Sequence, residues 1–279
     1  MQEPDKPSDD DCCNSGCNPC IFDLYEKQLN QYKNYLLKFT KFVVQNCVQL
    51  CDTLVVITFK GLNVSQKLWW KPGDHFLFKF IYNGSWCTRA YTPIKLTTSF
   101  GEDSDFSIIV KRYKDGFVSK YLYNIKLGEI TSWRGPFGSY VYKIKKYSRI
   151  IMIAQGTGIV PFHSIIQKIL SNENDLTRIV LYLCCQNIDE IVLRDELYNF
   201  RSYWNFLYKI FLRDEFHSKR CKYQEPVLNR KFSSEDLQDF TQFSCNDQFL
   251  ICGSPAFMNE YALILKESFF VSSDNIKIF

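Results

Sequence analysis

The sequence lacks any long apolar run. Its longest apolar stretches, such as 54–59 and 150–154, have the length of a strand, whereas a membrane-spanning helix needs roughly 18 or more consecutive apolar residues. The chain opens Met1-Gln2, without the glycine that N-myristoylation requires. Its first eleven residues are rich in Asp and Glu, unlike a secretory signal or an Arg-rich transit peptide. We therefore expect an intracellular protein, soluble or peripheral, without a transmembrane segment.

Two further features, the lack of interleaved basic and aromatic residues and the small number of histidines, limit the functions that the sequence suggests. Basic residues are not interleaved with aromatic residues in a repeating way, so nothing indicates a nucleic-acid partner. Only three histidines occur in 279 residues, which suits a reaction carried by cofactors rather than by side-chain acids and bases. The formal net charge is +4, with basic runs at 143–149 and 217–222. Each run is either a solvated loop or a docking face for an acidic partner or a nucleotide phosphate.

Cysteine, in contrast, is abundant and clustered. Of twelve cysteines, four fall within nine residues in the pattern C-C-x3-C-x2-C: Cys12, Cys13, Cys17 and Cys20. In a reducing compartment a disulfide framework is the less expected use of such a cluster. Two interpretations remain open, a zinc site built from these thiolates and a tail of unligated thiols.

The pattern of predicted strands, helices and turns along the chain indicates a two-domain α+β protein. Residues 1–38 form a Cys-rich segment followed by a helix from residue 22 to 38. Residues 39–146 contain short strands separated by Gly and Pro turns, which predicts an antiparallel β-barrel. In residues 147–279 apolar strands alternate with helices, including one expected over 234–240. This alternation predicts a parallel α/β sheet.

The hexapeptide Arg89-Ala90-Tyr91-Thr92-Pro93-Ile94 is the most informative motif. A guanidinium offers a rigid fork of donors to a pyrophosphate, while Tyr91 offers an aromatic plane and Thr92 a small hydroxyl. On extended backbone Arg89 and Tyr91 are expected to point the same way and Thr92 the other. The combination suits a flavin nucleotide.

Three other motifs follow in a fixed order. Gly116-Phe117-Val118-Ser119 opens a short helix whose N-terminal amides can hold a phosphate. Gly156-Thr157-Gly158 directly follows a strand, where glycines let the backbone approach a flat ligand. Cys252-Gly253-Ser254-Pro255 follows the last long strand, at the sheet edge where open α/β folds bind ligands. Each could be a plain turn alone, but their order makes chance improbable.

Together these segments resemble the ferredoxin–NADP reductase superfamily and, within it, the NADH–cytochrome b5 reductases. The segments that carry the resemblance are RAYTPI, GFVSKYL, RGPFG, MIAQGTGIVP, VLRDEL and ICGSPAFM, which span residues 89–258. The Cys-rich start resembles the oxidoreductase-like segment of the reductase-like subgroup. The resemblance implies an FAD-binding barrel followed by an NAD-binding domain.

It also implies roles for particular residues. Arg89 would bind the FAD pyrophosphate, Tyr91 would pack on the flavin, Thr92 would lie near its N5 atom, and Lys111 would also reach the nicotinamide nucleotide. The residues expected around FAD are Arg89, Tyr91, Thr92, Pro93, Val110, Lys111, Tyr113, Gly116, Phe117, Val118 and Ser119. Those expected around NADH are Gly156, Thr157, Gly158, Cys252, Gly253, Ser254 and Pro255. Thr92, Lys111 and Cys252 are expected nearest the reacting rings.

The implied reaction passes a hydride from NADH to FAD and then single electrons to a haem protein of cytochrome b5 type. Several positions depart from the usual family pattern: Gln155 replaces Gly, Val160 replaces Thr, and Ser254 and Ala256 replace Pro. These departures keep a second hypothesis open, a catalytically weak or flavin-free binding module that retains the fold. The selectivity segment near 211–215 is ambiguous, because an acidic Asp214 or Glu215 favours NAD whereas Arg213 favours NADP.

Overall fold

A computed structural model of the chain describes residues 4–8, 11, 20–62, 68–95, 105–237 and 243–279, and gives only the backbone for 34–37 and Ser218. Two six-stranded sheets organise these residues, one antiparallel and one parallel. Helix α1 (Ile21–Leu37) precedes the first sheet. The predicted fold class, an antiparallel barrel followed by a parallel α/β domain, is confirmed. No helix among the described ranges has the length and apolar character that crossing a membrane requires.

The first sheet runs in the order β4-β3-β6-β1-β2-β5. Its strands are β1 (Thr40–Cys51), β2 (Leu54–Gly61), β3 (His75–Tyr82), β4 (Ser85–Tyr91), β5 (Phe106–Lys111) and β6 (Ile130–Phe137). Ile94, just beyond β4, pairs with Ser107 on β5 through two backbone hydrogen bonds of 2.9 Å. This bridge joins the two edge strands, so the sheet closes into a barrel.

Aromatic rings fill the barrel. The ring of Phe106 lies 5.0–5.5 Å from those of Phe42, Phe59, Phe76 and Trp133, and all five side chains are buried. The indole of Trp133 donates to Thr131 Oγ1 at 2.8 Å, so its polar atom is satisfied inside the core. Such a rigid core fixes the strand that carries the RAYTPI motif.

The second sheet runs in the order β10-β9-β8-β7-β11-β12. Its strands are β7 (Arg149–Gln155), β8 (Arg178–Cys185), β9 (Phe206–Leu212), β10 (Val227–Leu228), β11 (Asp247–Cys252) and β12 (Ile276–Ile278). Helices α3 (Val160–Leu170), α4 (Arg194–Phe200) and α5 (Pro255–Glu267) connect them. The chain proceeds from β7 to β8 on one side and later returns to β11 on the other, so a crevice opens where β7 and β11 end.

Three local expectations differ from the structure. Strand β1 and the two-residue β10 are absent from the predicted elements, and the helix expected over 234–240 is a single 3₁₀ turn at Ser234–Leu237, with the remaining positions outside the described residues. In β1 the alternation of buried and exposed residues fades after Asn46, and the register shifts twice against β2. A strand with one solvated half and two bulges lacks the clean period of two that identifies strands in a sequence.

Candidate active site

One open cavity of about 1270 Å³ lies between the barrel and the parallel sheet. It is lined by all the predicted FAD and NADH residues except Pro93 and Val110. Those two side chains are buried, and Val110 belongs to the barrel core. The four motifs, which lie between residues 89 and 255, therefore meet at one cavity.

The barrel wall of the cavity carries Arg89, Tyr91 and Thr92. Arg89 is exposed and donates from Nη1 to the carbonyl of Thr88 at 2.9 Å, which leaves other donors of its fork for an anion. Tyr91 packs its ring edge-on against Trp133 at 6.0 Å. Burial raises the pKa of Tyr91 above its ordinary value although the positive charge of Arg89 opposes this, so the phenol stays neutral at physiological pH and can donate a hydrogen bond.

A tight turn leads from β5 into helix α2 (Phe117–Tyr123). The hydroxyl of Ser119 donates to the carbonyl of Gly116 at 3.0 Å and accepts from the amide of Tyr113 at 3.2 Å. A Cβ at Gly116 would lie 2.4 Å from that hydroxyl, so a larger residue here would displace the Ser119 side chain from the turn. Ser119 therefore stabilises the turn, and the first amides of α2 are the groups that remain for a phosphate.

Two aromatic side chains that sequence reasoning did not identify, Tyr82 and Trp86, form part of the same wall beside the predicted Phe117. Tyr82, Trp86 and Phe117 line the cavity with more than half of each side chain exposed. The rings of Tyr82 and Phe117 lie 5.4 Å apart. Tyr82 and Trp86 lie on either side of the turn between β3 and β4, in which Asn83 and Gly84 both have positive φ. That Asn-Gly signal between aromatic residues was present in the sequence.

Two glycine turns form the opposite wall, after β7 and β11. A Cβ on Gly158 would lie 2.7 Å from the carbonyl carbon of Cys252, and one on Gly253 would lie 2.8 Å from Cβ of Gln155. The turns thus pack backbone against backbone. Gln155 Oε1 accepts a hydrogen bond from the amide of Ser254 at 3.0 Å, and Ser254 Oγ caps α5. Two of the departures from the family pattern therefore contact each other and join the turns.

Cys252 lies where this wall meets the cavity. Burial raises the pKa of its thiol to about 12, so the group is a neutral thiol at physiological pH. Because the thiolate is the nucleophilic form of cysteine, the side chain can shape the pocket but is unsuited to covalent chemistry.

Lys111 and Glu190 connect the two domains at the base of the cavity. Lys111 Nζ lies 2.6 Å from Glu190 Oε2, and Thr53 Oγ1 donates to Glu190 Oε1 at 2.8 Å. The Glu190 side chain is only 8% exposed. Asn187 caps the turn that holds Glu190 by accepting from its amide at 3.1 Å. Glu190 was not predicted from the sequence, because its partners Lys111 and Thr53 lie 79 and 137 residues away along the chain. No local sequence motif indicates its role.

The proposed zinc cluster cannot be placed. Cys12, Cys13 and Cys17 lie outside the described residues, whereas Cys20 is half-buried just before α1. Within the described part of the chain, no group of three or more His, Cys, Asp or Glu side chains is arranged to hold a metal ion.

Comparison with known proteins accounts for both domains. The family of oxidoreductase FAD-binding domains matches residues 41–142, and that of oxidoreductase NAD-binding domains matches residues 152–262. The N-terminal oxidoreductase-like family matches residues 1–41. Both matched domains are those of FAD- and NAD-binding oxidoreductases.

Individual relatives agree with the family assignment. The chain is 28% identical over 291 residues to a mouse protein named NADH-cytochrome b5 reductase-like, covering 94% of this chain and 91% of the relative. It is 40% identical over 129 residues to NADH-cytochrome b5 reductase 1 of Eremothecium gossypii, covering 45% and 43%. The cytochrome b5 reductase domain of Ulva prolifera nitrate reductase superposes with a TM-score of 0.73 at 21% identity, over 87% of this chain and 98% of that one. This chain belongs to the cytochrome b5 reductase family. The solved structure shows the same fold.

Proposed function

We propose that this family member is an FAD-dependent reductase that accepts a hydride from NADH and passes single electrons to a haem protein of cytochrome b5 type. The observation that carries the proposal is the single cavity lined by both the RAYTPI strand and the two glycine turns. Hydride transfer requires the donor and acceptor rings to be held in contact with defined orientation, and a shared cavity supplies that proximity.

The residues present fit an FAD molecule. The exposed fork of Arg89 and the first amides of α2 offer donors to a pyrophosphate. Tyr82, Trp86 and Phe117 offer flat apolar surface for a base. When bound, FAD supplies the two-electron to one-electron conversion that links a nicotinamide donor to a haem acceptor.

The chain's own residues then position and shield the reacting rings. Thr92 offers a half-buried hydroxyl at the end of β4, and Lys111 offers an ammonium held by Glu190. Gly156 has a φ of +54° and no atom within 4 Å of where its Cβ would stand, so the backbone presents a flat surface to a ring. The neutral thiol of Cys252 closes the other side without competing chemistry.

The haem-protein acceptor is proposed from the names of the relatives and from where charge lies. Arg149 at the start of β7 is paired with Asp247 at 2.6 Å, and the basic run 143–149 lies at the amino end of the parallel sheet, about 20 Å from the cavity at a rise of ~3.3 Å per residue. In the run 217–222, Arg220 and Lys222 are paired with Asp189 and Asp195. Neither run is well suited to docking an acceptor close to a flavin, so we propose that the acceptor approaches the opening of the cavity itself.

The N-terminal cysteines remain a separate proposal. Neighbouring thiolates repel one another unless a cation or protons neutralise them, and zinc bound tetrahedrally at about 2.3 Å per sulfur would do so. Their distance along the chain from the barrel implies that flavin reduction does not depend on them.

Purified protein provides a direct test. We expect a bound yellow chromophore, NADH oxidation with ferricyanide, and faster turnover with cytochrome b5 than with an unrelated haem protein of similar charge. Activity with ferricyanide alone would retain the reductase and reject the proposed acceptor. A colourless protein that cannot be reconstituted with FAD would instead favour the flavin-free binding module.

A further inference from the structure

The carboxyl end of β9 forms a positively charged end of the cavity. Its lining there consists of Phe211, Arg213, Arg230, Lys231 and Phe232. The acidic side chains that line the same cavity are Asp115, beside the Gly116 turn, and Glu260 on α5. Three cations thus occupy the part of the nucleotide-binding domain that follows its third parallel strand.

Arg213 lines the cavity, whereas Asp214 does not. Strand β9 ends at Leu212 and the chain bends at the next two residues. The amide of Arg213 donates to Cys185 O at 3.1 Å and that of Asp214 to Gln186 O at 2.8 Å, so the bend is held against the end of β8. The carboxylate of Asp214 accepts from Gln186 Nε2 at 2.6 Å and does not line the cavity. Of the three charged residues that made this segment ambiguous, Arg213 is the one that lines the cavity.

Arg230 is held in place by its neighbours. Its Nη1 donates to Asp236 Oδ2 at 2.7 Å and its Nη2 to the other carboxylate oxygen. Asp236 is buried and also accepts from the amide of Ser233 at 3.0 Å. The guanidinium lies over the ring of Phe211 at 5.1 Å, while half of the Arg230 side chain stays exposed. Such a preorganised cation loses little conformational entropy when an anion binds.

We propose that Arg213 and Lys231, supported by Arg230, bind the 2′-phosphate of a nicotinamide dinucleotide, so that this chain accepts NADPH as well as NADH. The proposal rests on the proposed function, since it concerns the nucleotide that occupies the same cavity. A carboxylate that binds the ribose hydroxyls favours NAD, whereas an arginine nearby accommodates the additional phosphate. A phosphate monoester carries about −1.5 to −2 charges at pH 7, and Arg213, Arg230 and Lys231 all line the cavity that the nucleotide would occupy.

Binding and flavin reduction together test the assignment. Titration calorimetry of the FAD-containing protein would compare 2′,5′-ADP with 5′-AMP, which lacks the 2′-phosphate. Anaerobic stopped-flow reduction would compare NADPH with NADH. The variants are Arg213→Ala and Lys231→Ala. Lys168→Ala is the matched control, because Lys168 is an exposed cation on α3 that does not line the cavity.

We expect tighter binding of 2′,5′-ADP than of 5′-AMP, with a steeper loss of affinity as salt is raised. Arg213→Ala should weaken 2′,5′-ADP binding about tenfold to a hundredfold, the range for one lost charge-assisted contact, and should change NADH binding less than threefold. Lys168→Ala should change neither.

Several outcomes would overturn the assignment. Equal affinity of wild-type protein for 2′,5′-ADP and 5′-AMP would overturn it, and so would an unchanged preference in Arg213→Ala. Efficient flavin reduction by NADH but not by NADPH would reject the phosphate site and leave the reductase intact. Failure of both nucleotides to reduce bound FAD would reject the proposed function as well.

Discussion

The contact between Lys111 and Glu190 offers the sharpest test of how the two domains form one site. Glu190→Gln keeps the shape of the side chain and the acceptor for the Thr53 hydroxyl, but removes the negative charge 2.6 Å from Lys111 Nζ. Breaking a fully buried ion pair costs about 3–5 kcal/mol. Lys111 is 25% exposed, so water can solvate part of its charge. We therefore expect a loss of about 1–2 kcal/mol in unfolding free energy.

The functional effect should be larger than the stability effect suggests. Without Glu190 the ammonium of Lys111 is no longer held at the base of the cavity, so we expect a weaker apparent affinity for NADH with FAD content unchanged. Chemical denaturation followed by circular dichroism measures the first effect. Anaerobic flavin reduction at varied NADH concentration measures the second, and flavin released on denaturation gives the FAD content.

Asp189→Asn provides the matched control. Asp189 lies on the same turn as Glu190, and its substitution by Asn removes the same charge. Its ion pair with Arg220 is exposed, however, because the Arg220 side chain is 50% exposed and that of Asp189 is 56% exposed. Exposed pairs contribute about 0–1 kcal/mol, so stability and NADH affinity should stay close to wild type. If Glu190→Gln behaves like Asp189→Asn in both assays, the interdomain pair does not organise the site.

Further predictions concern four other features. Arg89→Ala should weaken FAD binding by about 2–4 kcal/mol through loss of a charge-assisted contact, and Arg89→Lys should recover part of it; equal flavin retention would reject the pyrophosphate role. Gly158→Ala should displace the β11 turn and slow flavin reduction by NADH, whereas unchanged kinetics would show that the two turns can separate freely. Burial lowers the pKa of His163 to about 4. Between these two pKa values the His163 side chain binds a proton in the unfolded chain but not in the folded chain. The free energy of unfolding should therefore fall by up to about 3 kcal/mol as pH decreases from 6.5 to 4. His163→Leu, but not His217→Gln, should flatten this dependence in pH-series denaturation, and a parallel decline in both variants would argue against it. Elemental analysis of full-length, thiol-reduced protein should find about one zinc, lost when Ser replaces the cysteines; metal-free protein would favour free thiols at Cys12, Cys13, Cys17 and Cys20.

The sequence was sufficient to predict the two sheets and the meeting of the four motifs. Short apolar strands bounded by Gly and Pro identify a barrel, and strand–helix alternation identifies a parallel sheet. Parallel strands bring their carboxyl ends to one edge, so the turns after β7 and β11 had to lie at the same edge of the sheet. These inferences depend on local patterns and on general rules of topology.

Contacts between distant residues could not be predicted in the same way. Gln155 and Ser254 are 99 residues apart, and each departs from the family pattern. From the sequence alone they look like two unrelated departures, whereas in the structure the Gln155 side chain accepts a hydrogen bond from the Ser254 amide. Glu190 has no motif, because its role arises only when β5 and the turn after β8 meet. Whether Arg213 or Asp214 faces the cavity depends on how the chain bends after β9 ends at Leu212, and no local sequence pattern predicts that bend.

The central claim is that one cavity brings a flavin and a nicotinamide into contact. Its most direct test is anaerobic mixing of the purified, FAD-containing protein with NADH while the flavin absorbance is followed. We expect the yellow absorbance to bleach in a single turnover and to return when cytochrome b5 is added. Protein that retains FAD yet shows no bleaching with either NADH or NADPH would contradict the account.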